Sequence, residues 1–500
     1  MKKLLLIGLI ILIGFLLRIY SIGQESFWLD EGATAYAMKN YNAKEILYNT
    51  IVLGNLVPEF YKAATDPPVY YITVFFWSKL FSVSEASLRL YSAVIWVLSA
   101  VFLYLMAKQL LGKKNAIISS LLFSISIPAI AFSQEARGYM LYLFFALASM
   151  YCLINALEKN KTSYWILYAV FVVLGSYTHH FFIILLAFQF LYSSFKFLKG
   201  SFKDKSLFRV FVTYLIIGLL LMPIIPRVLK EKVDWWGKPT ITSTASLMAN
   251  FASWAFPTEI GREKLKHSLF LEIPFIDISL FVSVLLTIAL SYSLVFYLIY
   301  KRLFADYKKP FAKKGNILFL FGWFALPLTS AFLLSIFTPI SIFTTFHYFF
   351  YCLPPFIMLL AEAMLGFKQK YLKFLLIFFL LINIVPLYAY YTNVDKQQWR
   401  ETAEYLKGKA NEKEPIIISI YSGEVSFRYY FGEHPNIHGF KRLDNELKEA
   451  IKNKDSLWLI LTFWKYHDPE GTIKKYIDED YEVIESKKFF DIDIYRYKKK

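Results

Sequence analysis

The chain has 500 residues, of which 57% are hydrophobic and 19% aromatic, with a mean hydropathy of +0.44. No water-soluble domain of this length is so apolar, and apolar runs recur at the length that crosses a hydrocarbon core. The net charge of +17 suggests nucleic acid only until it is located. The excess lies almost wholly in short connections at residues 2–3, 108–114, 159–161, 196–209, 301–314 and 368–373, which is the positive-inside signal of membrane insertion and leaves no basic groove for nucleic acid.

In chain order, spans are expected near 4–22, 90–109, 115–132, 138–157, 163–178, 181–198, 207–227, 274–300, 316–337, 345–366 and 371–391, about eleven in all. The first follows Lys2 and Lys3 and lacks a small-residue cleavage site, so it reads as a retained span and not a signal peptide. Alternate connections then carry the basic residues, which puts the N-terminus in the cytoplasm of a cell whose plasma membrane holds the protein. The remaining connections, 23–89, 133–137, 179–180, 228–273, 338–344 and the tail after 391, fall on the extracytoplasmic side.

The first outer loop, 23–89, is not simply polar. "ATAYAMKNYNAKEILYNTIVL" has helical spacing, and "DPPVYYITVFFWSKLF" is apolar but short and starts on proline; both read as helices lying in the interface. A twelfth span at 68–82 would invert every later loop and break the charge pattern. The loop at 228–273 contains "VDWWGKP" and "SWAFPTE", whose paired Trp rings suit the headgroup zone.

Beyond residue 391 the character changes. Charges are dense, and strand-like runs ("EPIIISIY", "SLWLILTF", "FFDIDIYRY") alternate with helical ones ("WRETAEYLKGK", "DNELKEAIKNK"). The fold class is therefore a membrane all-α core, 1–391, followed by a small α/β extracytoplasmic domain, 392–500, with a partly parallel sheet. The two cysteines, Cys152 and Cys352, both fall in apolar spans, so no disulfide or thiolate framework is readable.

Chemistry-bearing residues gather at the outer ends of spans, in "FWLDEGA", "DPPVYY" and "SQEARGY". Asp30 and Glu31 are ordinary acids for a helix start, where they favour the dipole. They also follow an aromatic anchor about ten residues past a span, and adjacent helical positions diverge by about 100°. One carboxylate can then face a cavity while the other holds backbone. Arg137 sits in so short a turn that its guanidinium stays at headgroup level, as a bidentate phosphate ligand or as a residue snorkelling to lipid. Glu135 neutralises it. Asp66, before Pro67 and Pro68, starts a turn or points toward Asp30. His179 and His180 read as interfacial packing. His347 and Tyr348 reach a phosphate or hydroxyl, or pack. His434, His438 and His467 show no metal-ligand spacing. No Gly-rich phosphate loop, zinc helix or nucleophile elbow is present, so a substrate delivered by the membrane is expected.

Together "FWLDEGATAY", "DPPVYY", "SEASLRLYSAVIWVLS", "SQEARGYMLYLFFALASM" and "HYFFYCLPPFIML" resemble membrane glycosyltransferases of the C-type fold. The branch is that of protein O-mannosyltransferases and lipid A aminoarabinose transferases. The resemblance covers most of 1–391 in order and spacing. It implies a polyprenyl- or dolichyl-phosphate-sugar donor and transfer on the outer face to a protein, lipid or glycan acceptor. It places the catalytic base on Asp30 with Glu31 beside it, and the donor-phosphate ligand on Arg137. Arg89, His347 and Tyr348 are further phosphate candidates; Asp66, Glu135 and Tyr139 are substrate candidates. A divalent cation held by Asp30, Glu31 and Asp66 is possible. Relatives often have His or Lys where this chain has Asp66, and Arg-Tyr where it has His347-Tyr348, which replaces a fixed charge by a pH-dependent one.

The alternative is a transporter or flippase of a lipid-linked saccharide. That class should show internal repeats and ionisable residues near mid-span, and the sequence shows neither.

Overall fold

The computed structural model describes residues 2–58, 60, 67–199, 204–226, 238–252, 275–304, 314–338, 342–343, 346–432, 434–440, 443–463, 468 and 470–500. Asp66, His467, the paired Trp of the 228–273 loop and its "SWAFPTE" stretch lie outside the described residues. The helices to residue 133 are α1 (Lys2–Ile19), α2 (Leu29–Asn40), α3 (Ala43–Tyr48), α4 (Pro68–Phe81), α5 (Glu85–Leu111), α6 (Lys113–Ile125) and α7 (Ile127–Ser133). Then come α8 (Tyr139–Lys159), α9 (Thr162–Ser176), α10 (Phe182–Leu198), α11 (Asp204–Leu221), α12 (Ile241–Ala252), α13 (Phe275–Phe304), α14 (Lys314–Phe337), α15 (Leu353–Leu365) and α16 (Gln369–Thr392). The chain divides into two compact units, one of Met1–Tyr20, Ser92–Gln134 and Gly138–Asn393, the other of Ser21–Tyr91, Glu135–Arg137 and Val394–Lys500.

The first unit is helical because lipid offers backbone groups no partners, so each crossing segment must satisfy its own. Among the described residues, seven helices are long and apolar enough to cross a membrane, and the pair α6–α7, bent by 58°, makes an eighth. The protein is thus an integral membrane protein. Eleven spans were expected; the difference is α1, α9 and α10, whose apolar helical stretches Leu5–Ile19, Thr162–Ser176 and Phe182–Leu198 are shorter. The candidate spans containing α8 and α15 are largely buried and form the centre. By contrast α16 exposes Phe374, Ile377, Leu381 and Ile384, the reverse of a soluble surface, as lipid contact requires.

The bend in α6–α7 has an identifiable cause. Pro128 in the first turn of α7 has no N–H to give the Ser124 carbonyl, and Ser126 is extended at φ −63°, ψ 115°. The buried Arg18 side chain of α1 fills the gap. Its Nη1 donates to the Ser124 carbonyl at 2.9 Å and to the Gly14 carbonyl at 2.6 Å, its Nη2 to the Phe123 carbonyl at 3.3 Å, and its Nε to Ser133 Oγ at 3.1 Å. The guanidinium also lies 3.6 Å over the Trp96 ring. This close approach of α1 needs Gly14, where a Cβ would stand 2.3 Å from Trp96. Replacing Arg18 by Leu should therefore strip donors from buried carbonyls and cost about 3 kcal/mol. Thermal unfolding in detergent checks this, with Arg18→Lys recovering only part because an ammonium cannot span the fork of acceptors.

The second unit carries α2, α3, α4 and the α/β domain. That domain has α17 (Trp399–Leu406), β1 (Ile416–Ile418), α18 (Tyr421–Phe431), β2 (Ile437–Gly439), α19 (Asn445–Ile451), β3 (Ser456–Leu461), α20 (Thr472–Asp480), β4 (Tyr481–Phe489) and β5 (Ile492–Lys499). Strand order is β2-β1-β3-β5-β4, parallel across β2-β1-β3 and antiparallel across β3-β5-β4. Alternation sends Ile416, Ile418, Trp458 and Ile460 to one face and Ile417, Leu457, Leu459 and Leu461 to the other, and both faces are covered. The run "FFDIDIYRY", read as one strand, is instead a hairpin: β4 ends at Phe489 and Asp491 turns the chain at φ 55°.

In the first loop, α2 carries the acidic pair and α4 is a 14-residue helix that starts on Pro68. That α4 is not among the helices long enough to span, so the twelfth span has no support.

Candidate active site

Helix α2 starts at Leu29 after extended residues, with no side chain of its own N-cap residue, Trp28, closing it. Asp30 and Glu31 fall in its first turn, where the free N–H groups favour negative charge. The two side chains diverge. Glu31 is fully buried, whereas the Asp30 side chain is 37% exposed.

Glu31 is held from three directions. Its Oε1 accepts from Arg89 Nε at 2.9 Å, from the Ala136 backbone N–H at 2.7 Å and from Lys396 Nζ at 3.2 Å. Its Oε2 accepts from Arg89 Nη2 at 2.7 Å and from Lys396 Nζ at 3.1 Å. Burial by itself raises its pKa, but the charges of Arg89 and Lys396 with these hydrogen bonds outweigh it and hold the carboxyl at about 2. Burial, together with the charge of Arg89, pulls Lys396 below the ordinary lysine value.

Arg89 was expected as a phosphate ligand, and the structure gives it different work. All five of its N–H donors go to protein oxygens: two to Glu31, and the rest to the carbonyls of Ile22 (3.0 Å), Glu25 (2.8 Å) and Ser26 (3.0 Å). It is 2% exposed. Its place in the first turns of α5, facing the collar of residues 22–26, makes it the counter-ion that locks the start of α2, with no donor left for a phosphate.

Arg137 is different. Its Nη1 donates to the Tyr71 hydroxyl at 2.9 Å, and its Nη2 lies 3.4 Å from Asp30 Oδ2. Its side chain is 20% exposed. The structure therefore brings Asp30 and Arg137 together at the partly exposed rim of the buried Glu31 cluster. Glu135, two residues earlier, is 6% exposed. Burial raises its pKa to about 7 against the pull of Lys396, with Glu31 adding to the rise.

Tyr139, His347 and Tyr348 belong to the other unit. There the Tyr139 and His347 rings lie 4.6 Å apart, Tyr348 packs on Phe181 at 4.2 Å, and His179 stacks on Tyr142 at 4.7 Å. The Tyr348 carbonyl accepts from the Tyr142 hydroxyl at 3.0 Å. Among the described residues no group of three or more His, Cys, Asp or Glu is arranged to hold a metal, and the Glu31 oxygens are already committed to two cations and an N–H.

Sequence reasoning missed two members of the site. Tyr71 stands in the quoted "DPPVYY", but nothing in that stretch says which ring meets an arginine. Lys396 follows the last span and looks like one more tail lysine; its only signal is its place in the chain just after α16.

The fold is shared with known membrane enzymes. It matches the Archaeoglobus fulgidus oligosaccharyltransferase in complex with Zn and sulfate at a TM-score of 0.55 and 13% identity, over 92% of this chain and 68% of that one. The same organism's AglB, in complex with an inhibitory peptide and a dolichol-phosphate, matches at 0.52 and 13%, over 93% and 70%. ArnT from Cupriavidus metallidurans in the apo state aligns over 98% of this chain and 97% of its own at a TM-score of 0.49 and 10% identity. The two archaeal likenesses show the fold, that of the C-type membrane glycosyltransferases.

In sequence, residues 65–229, about a third of the chain, match the family described as dolichyl-phosphate-mannose-protein mannosyltransferase. An uncharacterised protein of Aquifex aeolicus (strain VF5) is 29% identical over 163 residues, 32% of this chain and 31% of that relative; the match spans about a third of its length. The resemblance to this branch of lipid-phosphate-sugar glycosyltransferases is thus borne out. The family match includes Tyr71, Arg89, Glu135, Arg137 and Tyr139 and begins after Asp30 and Glu31.

Two predictions follow from the electrostatics. Arg89→Gln leaves Glu31 buried with one partner fewer and should destabilise the protein by about 3–5 kcal/mol, measured by thermal unfolding in detergent. Glu135 binds a proton more tightly folded than unfolded, so its contribution falls as pH rises from about 4.5 to about 7. Glu31, held at about 2, gives the opposite slope, a contribution present above 4.5 and lost as pH falls toward 2. Melting temperatures of Glu135→Gln across about pH 2–8 should therefore lose the decline between 4.5 and 7 and keep the fall below 4.5.

Proposed function

We propose that the protein transfers a sugar from a polyprenyl- or dolichyl-phosphate-linked donor to an acceptor hydroxyl or amine on the extracytoplasmic face. The observation that carries this reading is the 3.4 Å approach of Asp30 to Arg137, a base and a cation at one partly exposed place. The acceptor oxygen attacks C1 of the donor sugar while the C1–phosphate oxygen bond breaks, in one displacement. Asp30 takes the acceptor proton, a contribution of about 10²–10⁴-fold. Arg137 stabilises the charge that grows on the leaving polyprenyl phosphate. Phosphate departs without protonation, so no second carboxylic acid is required, unlike ordinary glycoside hydrolysis. Glu31 serves by fixing α2 and Ala136.

The resemblance over residues 65–229 and the dolichol-phosphate named with the archaeal neighbour support the donor class. The domain assignment follows: residues 1–391 form the transferase core with its first outer loop at 23–89, and 392–500 the extracytoplasmic α/β domain. Among the described residues, seven long helices, one bent pair and three shorter apolar helices support an eleven-span arrangement, and the basic connections support a cytoplasmic N-terminus. His347, Tyr348 and Tyr139 form an aromatic cluster suited to the donor's phosphate or sugar. Acceptors of this class are proteins, lipids or glycans.

Purified protein given a labelled polyprenyl phospho-sugar and acceptor should release free polyprenyl phosphate. Asp30→Asn should fold normally and abolish release, and Arg137→Ala should weaken donor use at least tenfold in kcat/KM. Robust turnover by Asp30→Asn would end its role as base.

A further inference from the structure

The α/β domain has the topology that makes ligand crevices. Its parallel strands run in the order β2-β1-β3, so the chain leaves β1 for one side and returns to the other. In such sheets the crevice opens beyond the carboxyl ends of the strands, at the point of reversal. Here that point lies beyond Ile418 of β1 and Leu461 of β3. It is closed from within: Ser419 Oγ donates to the Thr462 carbonyl at 3.1 Å and accepts from the Thr462 N–H at 2.9 Å.

What occupies it is the side chain of Gln397, 1% exposed. Its Nε2 donates to Thr462 Oγ1 at 3.2 Å and to Asp491 Oδ2 at 2.9 Å. Its Oε1 accepts from the indole N–H of Trp399 and from the backbone N–H of Leu29, both at 3.3 Å. Leu29 is the first residue of α2, the helix that carries Asp30, and the N-cap of that helix supplies no side-chain hydrogen bond. An end N–H of α2, left open by its own sequence, is thus closed from 368 residues away.

Other contacts extend the grip. Ser26 Oγ donates to the Gln397 carbonyl at 2.7 Å, and Ser426 Oγ donates to the Leu29 carbonyl at 3.3 Å. The Phe27 N–H donates to the Tyr430 hydroxyl at 2.7 Å. Leu29 itself packs into the domain's core with Trp399, Phe427 and Ile418. Helix α18 comes so near that a Cβ on Gly32 would stand 2.0 Å from Ser426 Oγ. Lys396, next to Gln397, is the second counter-ion of Glu31.

We propose that the α/β domain is the positioning module of the catalytic base, its crevice given over to Gln397, and that Gln397 is a positioning residue for Asp30. This deepens the transferase reading and rests on it. A domain that guides acceptors from a distance needs no such contact with α2; a domain that sets the aim of Asp30 does. Loss of the cap lets the first turn of α2 open, which moves a base that must stay within hydrogen-bond reach of the acceptor.

The test compares full-length wild type with Gln397→Leu, using a labelled polyprenyl phospho-sugar and acceptor, and follows amide hydrogen exchange in both. The expected result is a fall in kcat of about 10–100-fold with donor KM within about twofold. Amides of residues 29–32 should exchange at least tenfold faster while those of β3 and β5 stay protected. An unchanged kcat, or a change confined to acceptor choice, overturns the proposal, as does unaltered exchange at 29–32. Should Gln397→Leu fail to fold, Thr462→Val removes one partner of Gln397 without touching α2 and should give the same pattern at smaller size. Wild-type protein that releases no polyprenyl phosphate would sink the transferase reading instead, and the exchange comparison would still decide whether Gln397 holds α2.

Discussion

Everything in the site is arranged around one buried carboxylate. Glu31 has no access to water, yet it remains ionised because Arg89 and Lys396 flank it and an amide N–H completes its shell. An unpaired charge in such a place would be far too costly, and a pair is weak evidence of stability by itself. Its physical consequence is geometric. The three groups that meet at Glu31 come from α5, from the turn 135–137 and from the segment after α16. With α2 itself, four separated stretches of chain are fixed at one point. Asp30 and Arg137, each one residue from an atom of that cluster, inherit their separation from it.

This explains why a short tripeptide, Glu135 to Arg137, clusters with residues 21–91 and the α/β domain and apart from its sequence neighbours. The turn is too short to hold itself. The Ala136 N–H bound to Glu31 orients it, so that Arg137 points toward Tyr71 and Asp30 while Glu135 is drawn inside. In the other unit, Arg18 plays a comparable part for the bent pair α6–α7: one guanidinium satisfies carbonyls that a proline leaves open. Both cases show an arginine inside a largely apolar protein used as a many-armed hydrogen-bond donor, where lysine could not substitute.

Much of this was legible from the residues. Long apolar runs and basic connections identify a membrane protein without reference to any relative, since hydropathy and charge placement are direct physical constraints. The acidic pair, Arg137 and the α/β character of the tail were likewise visible. The role of Arg89 was not, because a phosphate ligand and a structural counter-ion look alike in sequence; only the five acceptors around it distinguish them. Lys396 and Gln397 were hidden for another reason: their partners at Ser26, Leu29 and Glu31 lie 365 to 371 residues away, and no local pattern encodes such a pairing. Strand β4 was missed because it is an exposed edge strand, mostly polar, with no buried face to impose alternation. Strand β2, three residues long, is too short to carry a period at all.

If the proposed transfer holds, Asp30 and Arg137, 3.4 Å apart, act on one reaction at one place. A double-mutant cycle measures this directly, using Asp30→Glu and Arg137→Lys so that charge is kept and turnover stays measurable. Catalytic partners in contact should couple: the loss in kcat/KM for the double variant should depart from the product of the single losses by tenfold or more. Losses that simply multiply would mean that the two residues work independently, and would contradict the site described here.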